Sequence, residues 1–172
     1  TFNAILMISR LEAGYSSERV EEVNLTAMAQ DVAELYEPVA EDAGAKLNFS
    51  GSEQFNVQGN RELLSQTLSN ILDNAIKYSV GSEKPEISVS VTSVANAPCI
   101  RVSDNGPGIA QEDLERVTER FVRFEESRNA PGSGLGLSLA KAVMKLHKGE
   151  LRLESKGRGL NVELLFPAVI AP

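Results

Sequence analysis

A single cysteine, a single histidine and no run of basic residues set the first limits on this 172-residue chain. One cysteine, Cys99, excludes an internal disulfide and suits a reduced compartment. Flanked by Pro98 and Ile100 at the start of an apolar run, it reads as core filler. His147, in His147-Lys-Gly149, closes a helical pattern. A basic group there complements the helix dipole, which outweighs a role as general base or phosphate acceptor. No apolar run is long enough to span a bilayer and no signal peptide opens the chain, so a cytoplasmic domain without membrane contact is expected. Any inner-membrane anchor would belong to a longer protein, from which a start at Thr1 suggests the chain was cut. A formal charge of -7 disfavours a nucleic-acid footprint, so an anionic ligand must be held by a local site. Also missing are a Ser-His-Asp set, a metal-spaced Cys/His cluster and a Gly-x-x-x-x-Gly-Lys-Ser/Thr loop, which disfavours the classes they imply.

With 42% hydrophobic residues, the chain can bury one substantial core. After a brief edge strand at Glu21 to Val23, Asn24 caps a helix whose apolar face carries Leu25, Met28, Val32, Leu35 and Val39. Pro38 should kink or loosen that helix, and Gly44 closes it. Lys46 to Ser50 and Phe55 to Gln58 read as hairpin-like strands around Gly51-Ser52, and Asn60 caps the next helix. Alternation at Ile87, Val89 and Val91, at Ile100 and Val102, at Leu151 and Leu153, and at Val162, Leu164 and Phe166 gives strands that bury one face. The last two form a hairpin around Gly157-Arg158-Gly159. A short helix is expected near Gln111 to Val117, and a final one is supported by Leu139, Val143 and Leu146. The order predicts an α/β two-layer sandwich with an open outer face.

Asn70-Ile-Leu-Asp-Asn74-Ala-Ile-Lys77-Tyr78 places two poor helix formers inside a strongly helical run. Asn70, Asn74 and Lys77 fall within an arc of about 60°, opposite Leu64, Leu68, Ile71, Leu72 and Ala75. Two amide oxygens beside an ammonium suit a magnesium-bound polyphosphate; a solvated polar stripe explains them equally well. Asp104-Asn-Gly106-Pro-Gly108-Ile109 follows a strand, and alternation points Asp104 to the buried side. A carboxylate there needs a donor, which the exocyclic amine of an adenine ring supplies without charge, although Asp-Asn-Gly is also an ordinary turn. Gly106 and Gly108 permit close approach. A long loop then leads to Gly132-Ser-Gly134-Leu-Gly136-Leu137, whose amides at a helix start favour phosphate. Phe121 and Phe124 either anchor that loop as a lid, with Arg120 or Arg123 reaching outward, or serve as satellite core.

In this order the segments resemble the catalytic, ATP-binding domain of bacterial sensor histidine kinases. Asn70 through Tyr78 is similar to that family's N box, Asp104 through Ile109 to its G1 box, Glu119 through Phe124 to its F box and Gly132 through Leu137 to its G2 box. The resemblance implies a Bergerat-type fold: a mixed, roughly five-stranded sheet, three main helices on one face and a long ATP lid. It also implies that 1–14 is the end of the second helix of a dimerisation and histidine-phosphotransfer domain, 15–19 a linker and 20–172 the catalytic domain. By position, Asn74 would ligate Mg²⁺ with Asn70 assisting as the catalytic-site amide. Lys77, Tyr78, Ile109 and Phe121 would line the ATP site, and Asp104 would accept from the adenine amine beside Gly106 and Gly108. Gly132, Gly134 and Gly136 would hold phosphate, with Leu135 and Leu137 on the apolar side, and Arg120, Arg123 or Arg128 would touch the terminal phosphate.

The family's phosphoacceptor histidine lies on a helix not included in this sequence. The resemblance therefore implies a protein histidine kinase domain that binds ATP and Mg²⁺ but does not phosphorylate itself. Its implied partners are the phosphotransfer domain of the same, homodimeric, protein and a cognate response regulator. The alternatives are an ATPase of the gyrase, MutL or chaperone type and a nucleotide-binding module without transfer. Those ATPases carry a glutamate one turn before the magnesium asparagine; here that residue is Asn70, which cannot take a proton at neutral pH.

Overall fold

The structure, a computed structural model, describes residues 20–79, 81–114, 136–155 and 158–168. Strand β1 (Glu21–Asn24) runs into helix α1 (Leu25–Asp42). As expected, Asn24 is the cap, its Oδ1 accepting the Ala27 N–H at 3.0 Å. The helix buries Leu25, Met28, Ala29, Val32, Ala33 and Ala40, whereas Leu35 is 71% and Val39 45% exposed. Periodicity placed both on the packing face. Leu35 lies just outside the buried arc, beyond Met28, whereas Val39 shares the direction of Met28 and Val32 but sits in the last turn, past Pro38. Pro38 does not end α1, which continues to Asp42. The carbonyl deprived of its donor belongs to Glu34, an exposed residue whose backbone water can serve. Gly44, at φ +80°, closes the helix with its N–H on Glu41 O.

β2 (Lys46–Ser50) and β3 (Asn56–Gly59) do not form the expected hairpin. β2 pairs in parallel with β4 (Glu86–Val94), and β3 pairs antiparallel with β1 in a separate two-stranded sheet. Helix α2 (Arg61–Ser79) lies between β3 and β4, capped by Asn60 Oδ1, which accepts the Leu63 N–H at 3.0 Å. β5 (Ala97–Asp104), a 3₁₀ turn (Gln111–Asp113), α3 (Gly136–Leu146), β6 (Glu150–Glu154) and β7 (Asn161–Leu165) complete the described elements. The main sheet is five-stranded and mixed, in the order β2-β4-β5-β7-β6, with only β2–β4 parallel. β6 and β7 form the predicted closing hairpin. Of the helix expected near 111–117, the described part is the 3₁₀ turn; residues from 115 on lie outside the described set.

Alternation in β4, β5 and β7 sends Ile87, Val89, Val91, Ile100, Val102, Val162 and Leu164 to one face, each at most 5% exposed. Leu64, Leu68, Ile71 and Leu72 of α2 and Leu139, Val143 and Met144 of α3 close the same core. Fully burying each such side chain contributes about 1.5–3 kcal/mol. The opposite face is polar, with Arg101 and Glu163 paired across β5 and β7 at 3.1 Å. Cys99 is fully buried, yet on that opposite face, outside the main core cluster. Its strand partner is Leu165, and its Sγ lies 3.5 Å from Glu163 Oε2. Burial first, then the Glu163 charge, pushes its thiol pKa up to about 12.

His147 does close α3, but not as a cation. Its Nε2 accepts the Asn60 N–H at 3.0 Å, and its Nδ1 lies 2.8 Å from Val143 O. An amide can only donate, so Nε2 is the bare nitrogen and Nδ1 carries the proton. The ring is neutral, and burial lowers its pKa. It joins the end of α3 to the start of α2, leaving so little room that a Cβ at Gly59 would sit 2.5 Å from His147 Cδ2.

Candidate functional site

The polar face of α2 is real. Asn70, Asn74 and Lys77 are partly buried, while Leu64, Leu68, Ile71, Leu72 and Ala75 on the opposite face are at most 5% exposed. Between the two asparagines, Asp73 accepts from Tyr36 Oη of α1 at 3.1 Å, tying the two helices together. Burial, followed by the Asp73 charge, raises the Tyr36 pKa. Neither residue was visible as a partner in the sequence, because no local pattern relates α1 to α2 at that point.

The turn after β5 packs against the C-terminal end of α2. Gly106 is buried, and a Cβ there would collide with the Tyr78 carbonyl oxygen. Glycine is therefore required by the contact itself. Tyr78 presents this backbone group while its side chain is 37% exposed. Asp104 closes β5, its N–H on Leu160 O at 3.1 Å and its Oδ1 accepting the Gly106 N–H at 2.9 Å. Burial raises its pKa, and backbone hydrogen bonds to the carboxylate from Gly106 and Leu160 pull the other way. A carboxylate has about four acceptor sites, so these amide bonds leave it capacity to accept a further donor. Gly108, at φ +77°, lies where a Cβ would meet Ser155 Oγ at 2.5 Å, and the Ile109 N–H donates to that oxygen at 3.1 Å.

The structure thus places Asn70, Asn74, Lys77 and Tyr78 along α2, and Asp104, Gly106, Gly108 and Ile109 on the turn that packs against the C-terminal end of that helix at Tyr78. From Tyr78, Asn74 is about 6 Å and Asn70 about 12 Å back along the axis. That run allows one ligand to touch the turn with its base and the amide face with its phosphates. Gly136 opens α3, and Leu137 is partly buried against the core. Phe121, Gly132, Gly134 and Leu135, with Phe124, Arg120, Arg123 and Arg128, lie outside the described residues. Among the described residues, no three His, Cys, Asp or Glu side chains converge to hold a metal. A cavity of about 510 Å³ lined by Val20, Gly59, Asn60, His147 and Phe166 opens at the other end of α2 and contains none of the predicted site residues.

The sequence pattern of the family described as "Histidine kinase-, DNA gyrase B-, and HSP90-like ATPase" matches residues 59–170. The chain is 34% identical over 170 residues to the Non-motile and phage-resistance protein of Caulobacter vibrioides, covering 96% of this chain and 20% of that protein. It is 33% identical over 165 residues to Sensor protein kinase PmrB of Pseudomonas aeruginosa, covering 95% of this chain and 34% of that one. Among solved structures, full-length ShkA in complex with AMPPNP superimposes with a TM-score of 0.83 at 24% identity, over 99% of this chain and 36% of that chain. Fold and family match together define an ATP-binding domain. The chain belongs to the histidine kinase-, DNA gyrase B- and HSP90-like ATPase family, and within it to the ATP-binding domains of bacterial sensor histidine kinases. It spans 20% and 34% of the length of these two curated relatives. No helix among the described residues is long and apolar enough to cross a membrane.

Proposed function

We propose that this chain is the catalytic domain of a two-component sensor kinase, moving the γ-phosphoryl group of ATP to a histidine on a dimerisation domain of the same protein. The observation that carries this reading is the amide face of α2 meeting the Asp104 turn at Tyr78 and Gly106. Asp104 accepts from the adenine amine, with Gly106, Gly108 and Ile109 forming the adjoining wall. Lys77 neutralises phosphate charge, and the amides around Gly132, Gly134 and Gly136 bind phosphate oxygens, with Phe121, Leu135 and Leu137 on the apolar side.

Mg²⁺ fits the donors present: partly buried amide oxygens are hard, neutral ligands for an ion that arrives with phosphate oxygens and keeps several waters. Asn74 would hold it with Asn70 assisting, and when bound it would neutralise charge on the transferring group. The chain's own residues orient the nucleotide so that an incoming imidazole nitrogen meets the γ-phosphorus in line. The bond to the β-phosphate oxygen breaks, and ADP leaves with the electron pair. Asn70 offers no base to activate water, which favours transfer over hydrolysis. A cognate response regulator would take the phosphoryl group from a homodimeric full-length kinase in the cytoplasm, with any inner-membrane anchor outside this chain.

The test uses γ-labelled ATP, the chain and a separately purified phosphotransfer domain bearing the acceptor histidine. Label should appear on the added domain and not on this chain. Free phosphate released at a kinase-like rate with no transfer would overturn the reading in favour of hydrolysis.

A further inference from the structure

The residue after Asp104 has a side chain committed elsewhere. Asn105 Oδ1 accepts the Glu86 N–H at 2.9 Å and lies 3.2 Å from the Ser82 hydroxyl, while its Nδ2 donates to Lys84 O at 2.7 Å. Ser82 is bound in turn to the end of α2, its N–H on Ser79 O at 3.0 Å. Opposite, the β6–β7 hairpin grips the same turn. The Gly159 N–H donates to Gly106 O at 2.7 Å, and Ser155 Oγ donates to Gly159 O at 2.7 Å while accepting from Ile109. Residues 104–109 are therefore clamped on both flanks, and Asn105 supplies the flank that faces α2.

We propose that Asn105 is a positioning residue for adenine recognition, its side chain registering the Asp104 turn against the segment that leaves α2. This rests on Asp104 receiving the adenine amine, as proposed above. The geometry gives the reason: Asn105 bonds to three residues within a five-residue stretch, two of those bonds to backbone groups. Without them, the only described side-chain bonds from the turn to that stretch are gone. Asp104 is then free to tilt away from the base, while the amides of α2, held by an intact helix, still meet the phosphates. Loss of Asn105 should weaken the interaction with the base and spare the rest of the nucleotide.

The experiment compares Mg²⁺-loaded ADP with purine riboside diphosphate, which lacks the exocyclic amine, by titration calorimetry on the chain and on Asp104→Asn, Asn105→Ala and Asn105→Asp. The readout is the ratio of the two affinities. Asp104→Asn should collapse the preference for ADP. Asn105→Ala should lower it about tenfold or more, the worth of one hydrogen bond to a charged acceptor, with little change for the analogue. Asn105→Asp keeps the acceptor for Glu86 and should give an intermediate ratio, which also serves if the alanine variant does not fold. If Asp104→Asn contracts the ratio but folded Asn105 variants keep the original one, or weaken both nucleotides equally, the Asn105 assignment alone is overturned. An unchanged ratio in Asp104→Asn removes the reading of Asp104 itself and this inference with it.

Discussion

Gly106→Ala isolates the contact that seats the Asp104 turn against the end of α2. Its new Cβ would strike the Tyr78 carbonyl oxygen and lie 3.0 Å from the carbonyl carbon and 3.1 Å from Asp104 Oδ1. The first two are backbone atoms at the end of a packed helix and cannot rotate away, so the turn itself must move. Overpacking of this kind costs about 1–3 kcal/mol. Loss of unfolded-state freedom in replacing glycine offsets roughly 0.4–1 kcal/mol of that. A net loss of about 1–2 kcal/mol lowers the melting temperature by roughly 2–8 °C in a domain of this size. Gly81→Ala in the neighbouring loop is the control: a Cβ there meets nothing within 4 Å and the backbone is not left-handed, so its melting temperature should hold or rise. Thermal unfolding followed by circular dichroism at neutral pH measures both, and ADP titration should show weakening for Gly106→Ala only. A Gly106→Ala protein melting at or above Gly81→Ala would refute the packing argument.

Asn74→Ala should abolish Mg²⁺-dependent nucleotide affinity while changing stability by less than about 1 kcal/mol, since the side chain is only partly buried; retained affinity in calorimetry would remove the ligand assignment. His147 has a folded pKa below the ordinary 6.5, so the unfolded chain binds the extra proton. Its stabilisation is complete above that value and is lost as pH falls below it; the melting temperature should drop from pH 7.5 to 5.5, and that slope should shrink in His147→Gln. Cys99, fully buried with its thiol pushed up to about 12, should resist alkylation in the native protein and react once denaturant unfolds it. Prompt native labelling would contradict its placement beneath Glu163.

Local chemistry made much of this readable. Asn24 and Asn60 each announce a helix start through a side-chain oxygen three residues before its donor, and the structure shows both bonds. Period-two alternation marked the inward faces of β4, β5 and β7, and the amide face of α2 followed from period alone. What stayed hidden depends on partners distant in sequence. β2 finds a parallel partner some 40 residues on, which no turn residue signals, so adjacency alone suggested a hairpin. His147 is neutral because the Asn60 amide, 87 residues earlier in the chain, donates to it. Leu35 and Val39 matched a helical period, yet Leu35 lies at the margin of the buried arc of α1 and Val39 in its last turn past Pro38, positions that period alone does not distinguish. Asn105 read only as part of an ordinary turn, and Ser155 gave no signal, because their bonds go largely to backbone groups of other segments, which carry no sequence signature.

The central claim is that one nucleotide spans the α2 amide face and the Asp104 turn. Titrating the ¹⁵N-labelled chain with Mg²⁺-ADP and following its amide resonances tests this most directly. Asn70, Asn74, Lys77, Asp104, Gly106 and Gly108 should shift together along one saturating curve, with Gly59, Asn60 and His147 at the other end of α2 unmoved. Saturable shifts confined to Gly59, Asn60 and His147, or none at the Asp104 turn, would contradict the account.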